Sequence, residues 1–207
     1  VSTNTILPNK PRFRRRNPPL EGQELRDRLL KANIPVRYLQ GDWSGVDSAK
    51  DIQTFLTEDY WKSNKQRGMF IHGNKGVGKS QLLGLIAKYF VSNYFLSLIY
   101  TSAIDLSEKL FSREIQAKLD IENMRMANIL LIDDVMKEYE SDFATAKFLS
   151  IIESRYSTVQ PIFMTSNFPI DSVESRNGYE VIADRLRDRD WMTELFMAGE
   201  SKRGAVK

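Results

Sequence analysis

Gly73-Asn74-Lys75-Gly76-Val77-Gly78-Lys79-Ser80 fits the spacing G-x4-G-K-[ST], and Gln81 leads from it into an apolar run. Glycines let backbone N–H groups turn inward around a β-phosphate, and a helix starting at the lysine points its positive end at the same place. In that arrangement Lys79 bridges β and γ oxygens and the Ser80 hydroxyl ligates Mg²⁺. The stretch "ILLIDDV", residues 129–135, supplies carboxylates. A strand apolar through Ile132 and ending in Asp133 sets one carboxylate at the edge of a sheet, next to the loop, where it can hold the Mg²⁺ shell. Asp134 is then the group to orient or polarise an attacking water. Paired aspartates after a strand also serve as helix caps or loop residues; the phosphate loop upstream favours the metal and water roles.

Three further groups invite a role beside a bland reading. "MTSN" ends an apolar run, and Asn167 bridges water and γ-phosphate if its strand lies between those of the loop and the aspartates; otherwise it is a turn residue before "FPID". "ADRLRDRD" carries Arg185, Arg187 and Arg189. Residues two and four apart on a helix do not share one face, so the run is either a solvated charged face or holds one arginine that reaches a neighbouring subunit's γ-phosphate. His72, the single histidine, has no second histidine or cysteine to share a metal and reads as structural.

The elements that must position these groups follow from periodicity. Apolar "GMFIH" (68–72), "LSLIYTSA" (96–103), "ANILLIDDV" (127–135), "PIFMTSN" (161–167) and "WMTELFMA" (191–198) read as strands. Helical spacing covers 80–94, 105–119, 141–157 and 178–190, the second opened by a capping box from Asp105 to Glu108. Ahead of them, residues 21–30 and 51–63 read as helices joined by an irregular connector that breaks at Pro35. Alternation of helices with strands apolar on both faces predicts an α/β fold with a mostly parallel sheet covered on both sides.

At 207 residues and 42% hydrophobic content the chain suits one well-buried domain. Three segments are expected: a basic, Pro-rich mobile arm over 1–20, a helical lead-in and connector over 21–67, and the α/β core with a short basic tail over 68–207. Absence of cysteine excludes disulfides and thiolate metal sites. With no leader and no long apolar run in the sequence, a cytoplasmic protein is the expectation. The net charge of +3 hides an uneven distribution. Lys10, Arg12, Arg14, Arg15 and Arg16 at one end, and Lys202, Arg203 and Lys207 at the other, leave the part between them net acidic. The arm is either a solvated tail or a contact to a nucleic-acid backbone.

Taken in order, "ANIPVRY" (32–38), "GNKGVGKS", "ILLIDD", "MTSN", "VIADRLRD" (181–188) and "GESKR" (199–203) resemble the AAA+ ATPases of the DnaC/DnaI helicase-loader group, which includes IstB-type transposition helpers. The resemblance runs from Ala32 to Arg203. It implies a P-loop NTPase of the ASCE type with five strands, ATP and Mg²⁺ bound between subunits of a ring or spiral, single-stranded DNA gripped inside, and a hexameric DnaB-type replicative helicase as partner. Carried over by position, Asn167 is sensor 1, Arg185 the arginine finger and Arg203 the sensor 2 candidate, in a bacterial or mobile-element protein. The family's pore-lining elements fall within 111–126, which makes Phe111, Arg113 and Lys118 DNA-binding candidates; an ordinary amphipathic helix burying Leu110, Phe111 and Ile115 is the alternative. Many AAA+ proteins carry glutamate where this chain has the shorter Asp134, so slow hydrolysis is expected. No full helical lid is expected after Lys207, and residues 1–31 offer only a basic arm and one helix in place of the separate helicase-binding domain of typical loaders: either that domain was cut away, or this is a compact phage or mobile-element version that engages its partner differently. A P-loop kinase and a non-hydrolysing ATP-organised module are the competing readings; "MTSN" and "ILLIDD" suit attack by water better than transfer to an acceptor.

Overall fold

The computed structural model describes residues 13–46, 49–56, 67–135, 142–174 and 179–201. Five strands form one sheet: β2 (Gly68–Gly73), β4 (Leu98–Ser102), β5 (Ile129–Val135), β6 (Ile162–Ser166) and β7 (Met192–Met197). Their order is β4-β5-β6-β2-β7, and every neighbouring pair is parallel. The expected five-stranded α/β architecture is therefore present, and the strand that carries "MTSN" does lie between the phosphate-loop strand and the aspartate strand.

Alternation along each strand divides the core into two layers. Met69 and Ile71 of β2, Ile129 and Leu131 of β5, and Phe163 of β6 pack with Leu82, Leu83, Ile86 and Phe90 of α3 (Lys79–Asn93). α1 (Gly22–Lys31) joins this layer through Leu25 and Leu29. Phe70, Leu130, Ile132, Ile162 and Met164 face the other way. They meet Leu106 and Leu110 of α4 (Ala103–Phe111), Ile121 and Met124 of α5 (Ile115–Met126), Phe148 and Ile151 of α6 (Asp142–Ser157), and Ile182 and Leu186 of α8 (Glu180–Arg187). Two short α-helices, α2 (Ala49–Thr54) and α7 (Asp171–Glu174), are also present.

Three local expectations are corrected. Residues 105–119 are not one helix: α4 ends at Phe111, and Ser112 and Glu114 adopt extended backbone before α5 begins. The capping pair is Ser102 with Asp105, not Asp105 with Glu108. The Asp105 N–H donates to Ser102 Oγ at 3.1 Å, and that hydroxyl donates back to the Asp105 carboxylate at 2.7 Å. The arm, expected to be mobile, is packed from Phe13 onward. β1 (Arg14–Arg15) pairs antiparallel with β3 (Tyr94–Phe95), Phe13 is buried, and the Arg16 guanidinium lies 3.9 Å from the Phe95 ring centre while donating to the Tyr94 carbonyl. Arginine stems and aromatic faces thus supply the contact that apolar content alone did not promise. Of the helix expected over 51–63, residues 57–63 lie outside the described residues, as do residues 1–12 of the arm.

Candidate functional site

The turn from β2 into α3 is set by its glycines. Gly78 caps the helix at φ 104°, in the left-handed region that a side chain disfavours. A Cβ on Gly73 would stand 2.2 Å from the Met197 carbonyl of β7, so only glycine lets the loop leave the sheet there. The loop borders a cavity of about 390 Å³ whose lining includes Lys75, Gly76, Gly78, Lys79, Ser80, Gln81, Asp134 and Asn167, together with Arg37, Tyr38 and Thr165. Among the other loop residues, Asn74 contributes its carbonyl and Val77 is buried in the core.

Lys79 is buried and its ammonium donates to the Gly73 and Asn74 carbonyls, both at 2.8 Å, and to Asn167 Oδ1 at 3.0 Å. The Asn167 amide donates in turn to Asp134 Oδ1 at 2.9 Å. One asparagine thereby spans the loop cation and the second aspartate. Asp134 has φ 62°, uncommon for a residue with a side chain, and lies where the β5–β6 register shifts between Ile132 and Val135. The irregularity takes the Asp134 N–H off the regular ladder, and Thr165 Oγ1 accepts it at 2.8 Å.

Asp133 is buried and densely bonded. Its Oδ1 accepts from the Ser80 hydroxyl at 2.8 Å and the Thr165 hydroxyl at 2.5 Å; its Oδ2 accepts from Tyr100 at 2.9 Å and Tyr38 at 3.3 Å. Burial first, then the adjacent Asp133 carboxylate, push the Tyr100 phenol far above its ordinary pKa, so it remains a donor at neutral pH. A hydroxyl and a carboxylate oxygen in contact beside a phosphate-type loop are hard oxygen donors, and Mg²⁺ takes one or two such ligands plus substrate phosphates. Ser80 and Asp133 thus fit that ion. Among the described residues no group of three or more His, Cys, Asp or Glu gathers into an alternative metal centre.

Among the described residues, the remaining sequence candidates lie apart from the cavity. Arg185, on α8, donates to Glu153 of α6 at 2.9 Å and to Asp184 at 2.6 Å, and its guanidinium stands 4.9 Å from the Tyr156 ring centre; it does not line the cavity of its own chain. Arg187 pairs with Asp171 at 2.9 Å, so the two arginines do point to different partners. Arg203 lies outside the described residues. Phe111, Arg113 and Lys118 are exposed at the end of α4, the intervening loop and α5. Leu110 is fully buried, but Phe111 is 51% and Ile115 77% exposed, which contradicts the alternative of a helix that buries all three.

Sequence reasoning missed Thr165, Tyr38 and Tyr100. Thr165, on β6, stands two positions before Asn167, which follows the strand's end, and both line the cavity; its polar character next to the "MTSN" asparagine was a signal that was available. Tyr38 and Tyr100 carried none, because each reaches Asp133 only through tertiary packing.

The chain is similar to known proteins. The replicative helicase loader DnaI of Bacillus subtilis (strain 168) is 26% identical over 190 residues, 82% of this chain; the chain spans 60% of that relative's length. Crystal structures of DnaI and of the DnaC helicase loader share the fold, with TM-scores of 0.65 and 0.64 at 23% and 19% identity. The alignments cover 82% and 79% of this chain, and 94% and 100% of theirs. The model of the IstB-like ATP binding protein family matches residues 38–203, and the chain belongs to that family.

Proposed function

We propose that this chain is an ATPase that acts as a helicase loader, binding ATP with Mg²⁺ and single-stranded DNA to place a hexameric replicative helicase in the cytoplasm of a bacterium or for a mobile element. The observation that carries the reading is the chain of contacts Lys79–Asn167–Asp134 lining one cavity, a phosphate cation, a bridging amide and a carboxylate in turn, with Ser80 of the same lining bonded to the buried metal carboxylate Asp133. Lys79 and the loop N–H groups bind the phosphates, Ser80 and Asp133 hold the ion, and Asp134 takes the proton of the attacking water or orients it while Asn167 keeps both in line. The magnesium ion would supply charge neutralisation on the β and γ oxygens.

Arg185 sits away from its own cavity, as a finger acting in trans requires, and its partners Glu153 and Asp184 hold it until a neighbouring subunit's phosphate competes for it. Head-to-tail contacts of that kind close into rings or continue as spirals. Asp134 is short for its task, and slow turnover suits a timed switch. DNA contact is assigned to Phe111, Arg113 and Lys118, by backbone charge and stacking.

The test is phosphate release from ATP with magnesium, with and without single-stranded DNA and a hexameric helicase, for the wild type and Lys79→Ala. The expected result is turnover below about 1 s⁻¹ alone, stimulated by DNA or helicase and abolished in the variant. Phosphate passed only to a small acceptor would establish a kinase instead. The IstB-like description of the matched family favours a second reading, a transposition helper working on double-stranded DNA. Capture of a transposase rather than a helicase from the native host would select it.

A further inference from the structure

Asp133 accepts four hydrogen bonds, yet only the one from Ser80 belongs to the phosphate-loop motif. The two on Oδ2 come from far apart in the chain: Tyr100 on β4 and Tyr38 in the single turn Val36–Tyr38 of the lead-in. Both tyrosines are buried, with their rings 6.3 Å apart. Tyr38 is seated with care. Gly84 of α3 leaves the space it fills, since a Cβ there would meet the Tyr38 carbonyl oxygen at 2.6 Å and its Cβ at 2.7 Å. Gln81 of the same helix donates to the Tyr38 carbonyl at 3.3 Å and also to the Gln40 carbonyl. Arg37, at the cavity's rim, lies over the Tyr38 ring at 4.6 Å and donates to its hydroxyl at 2.6 Å, which turns the hydroxyl proton toward Asp133. The far side of the lead-in is tied to the sheet, because the Tyr100 N–H donates to the Ala32 carbonyl. The lead-in therefore touches the site from both sides.

We propose that Tyr100 and Tyr38, the latter oriented by Arg37, are positioning residues that fix Asp133 for the magnesium–nucleotide complex, so that docking of the lead-in on α3 sets the metal site. The proposal rests on the ATP–magnesium reading of the same cavity. A carboxylate held on one oxygen alone can rotate; with Oδ2 pinned by two phenols, Oδ1 stays fixed beside Ser80. Loss of an outer partner of this kind typically costs about 10–100-fold in ion affinity.

Tyr100→Phe and Tyr38→Phe keep the rings and remove only the hydroxyls. In the full chain, binding of a fluorescent ATP analogue is measured in EDTA and along a magnesium titration. The expected result is magnesium-free affinity within about twofold of wild type, with the magnesium concentration for half-maximal tightening raised about tenfold in Tyr100→Phe and less in Tyr38→Phe, whose bond is longer. An unchanged magnesium midpoint in both variants overturns the proposal alone. Equal loss of affinity with and without magnesium also overturns it, by showing a merely structural role. A wild-type chain whose nucleotide affinity ignores magnesium overturns the metal-site reading and this proposal with it.

Discussion

Asn167 donates its side-chain amide to Asp134 Oδ1 at 2.9 Å, and so holds a carboxylate whose backbone already sits in a sparsely populated region at φ 62°. The opposite end of the same amide accepts from Lys79 at 3.0 Å. Position and polarity are both needed, because the oxygen must face the cation and the nitrogen the anion. Under the proposed function Asn167→Ala leaves Asp134 without its guide while the phosphate loop stays intact. Nucleotide affinity is expected to change by less than about threefold, and turnover to fall by about 10²-fold, within the range for a misplaced acid–base group. Equilibrium binding and single-turnover hydrolysis check this; parallel loss in both would make Asn167 a binding residue instead.

A different kind of prediction attaches to Arg155, which is completely buried. Its guanidinium donates to the carbonyls of Met124, Ala127 and Pro161 at 2.7–2.8 Å, and more weakly to those of Arg125 and Asn128. It therefore satisfies the open end of α5 and the connection into β5, which no lysine could do with its single nitrogen. Arg155→Met would leave several buried carbonyls without a donor, each costing about 1–3 kcal/mol. Destabilisation of roughly 3–5 kcal/mol is expected, seen as a melting temperature lower by about 10 °C. A shift under about 3 °C would show that water replaces the guanidinium.

The strands and the phosphate loop were legible because each is specified locally: "ILLID" has to be buried on both faces, and the glycines of the loop have no other economical explanation. Asn167 was legible once the strand order was assumed, and that order holds. The break between α4 and α5 was not, since "FSREIQ" has helical propensity and Ser112 and Glu114 override it by their backbone conformation. Nor was the docking of Arg14–Arg16, whose contacts with Phe95 and Tyr94 depend on a surface formed only when α3 and the sheet are assembled. The two tyrosines on Asp133 belong to the same class: their spacing in sequence means nothing until β4 and the lead-in converge.

His72 gives a pH dependence with a defined sign. Burial in the sheet lowers its pKa below the ordinary histidine value, Glu194 at 3.2 Å opposes the shift, and Lys79 adds to it. The folded state thus holds its proton less tightly than the unfolded chain, so this residue's contribution is full above the unfolded pKa of about 6.5 and is lost as pH falls through the folded value. Melting temperature measured from pH 8 down to pH 5 should fall more steeply for wild type than for His72→Gln. Identical slopes would remove His72 as a source of acid sensitivity.

Arg113 and Lys118 stand exposed around the break between α4 and α5, beside exposed Phe111 and Ile115, which gives this edge both charge and apolar surface. If single-stranded DNA lies there, each cation neutralises one phosphate, and the logarithm of the binding constant falls with the logarithm of salt by about 0.7 per contact. Replacing both with alanine should weaken binding and flatten that slope by about 1.4. Phe111→Ala should instead weaken binding by tenfold or so with the slope unchanged, because stacking releases no counterions. Exposed side chains of this kind contribute little to folding, so both variants should melt within a degree or two of wild type. Binding measured by fluorescence anisotropy across a salt series separates the two effects, and an unaltered slope in the double variant would move the DNA site away from this edge.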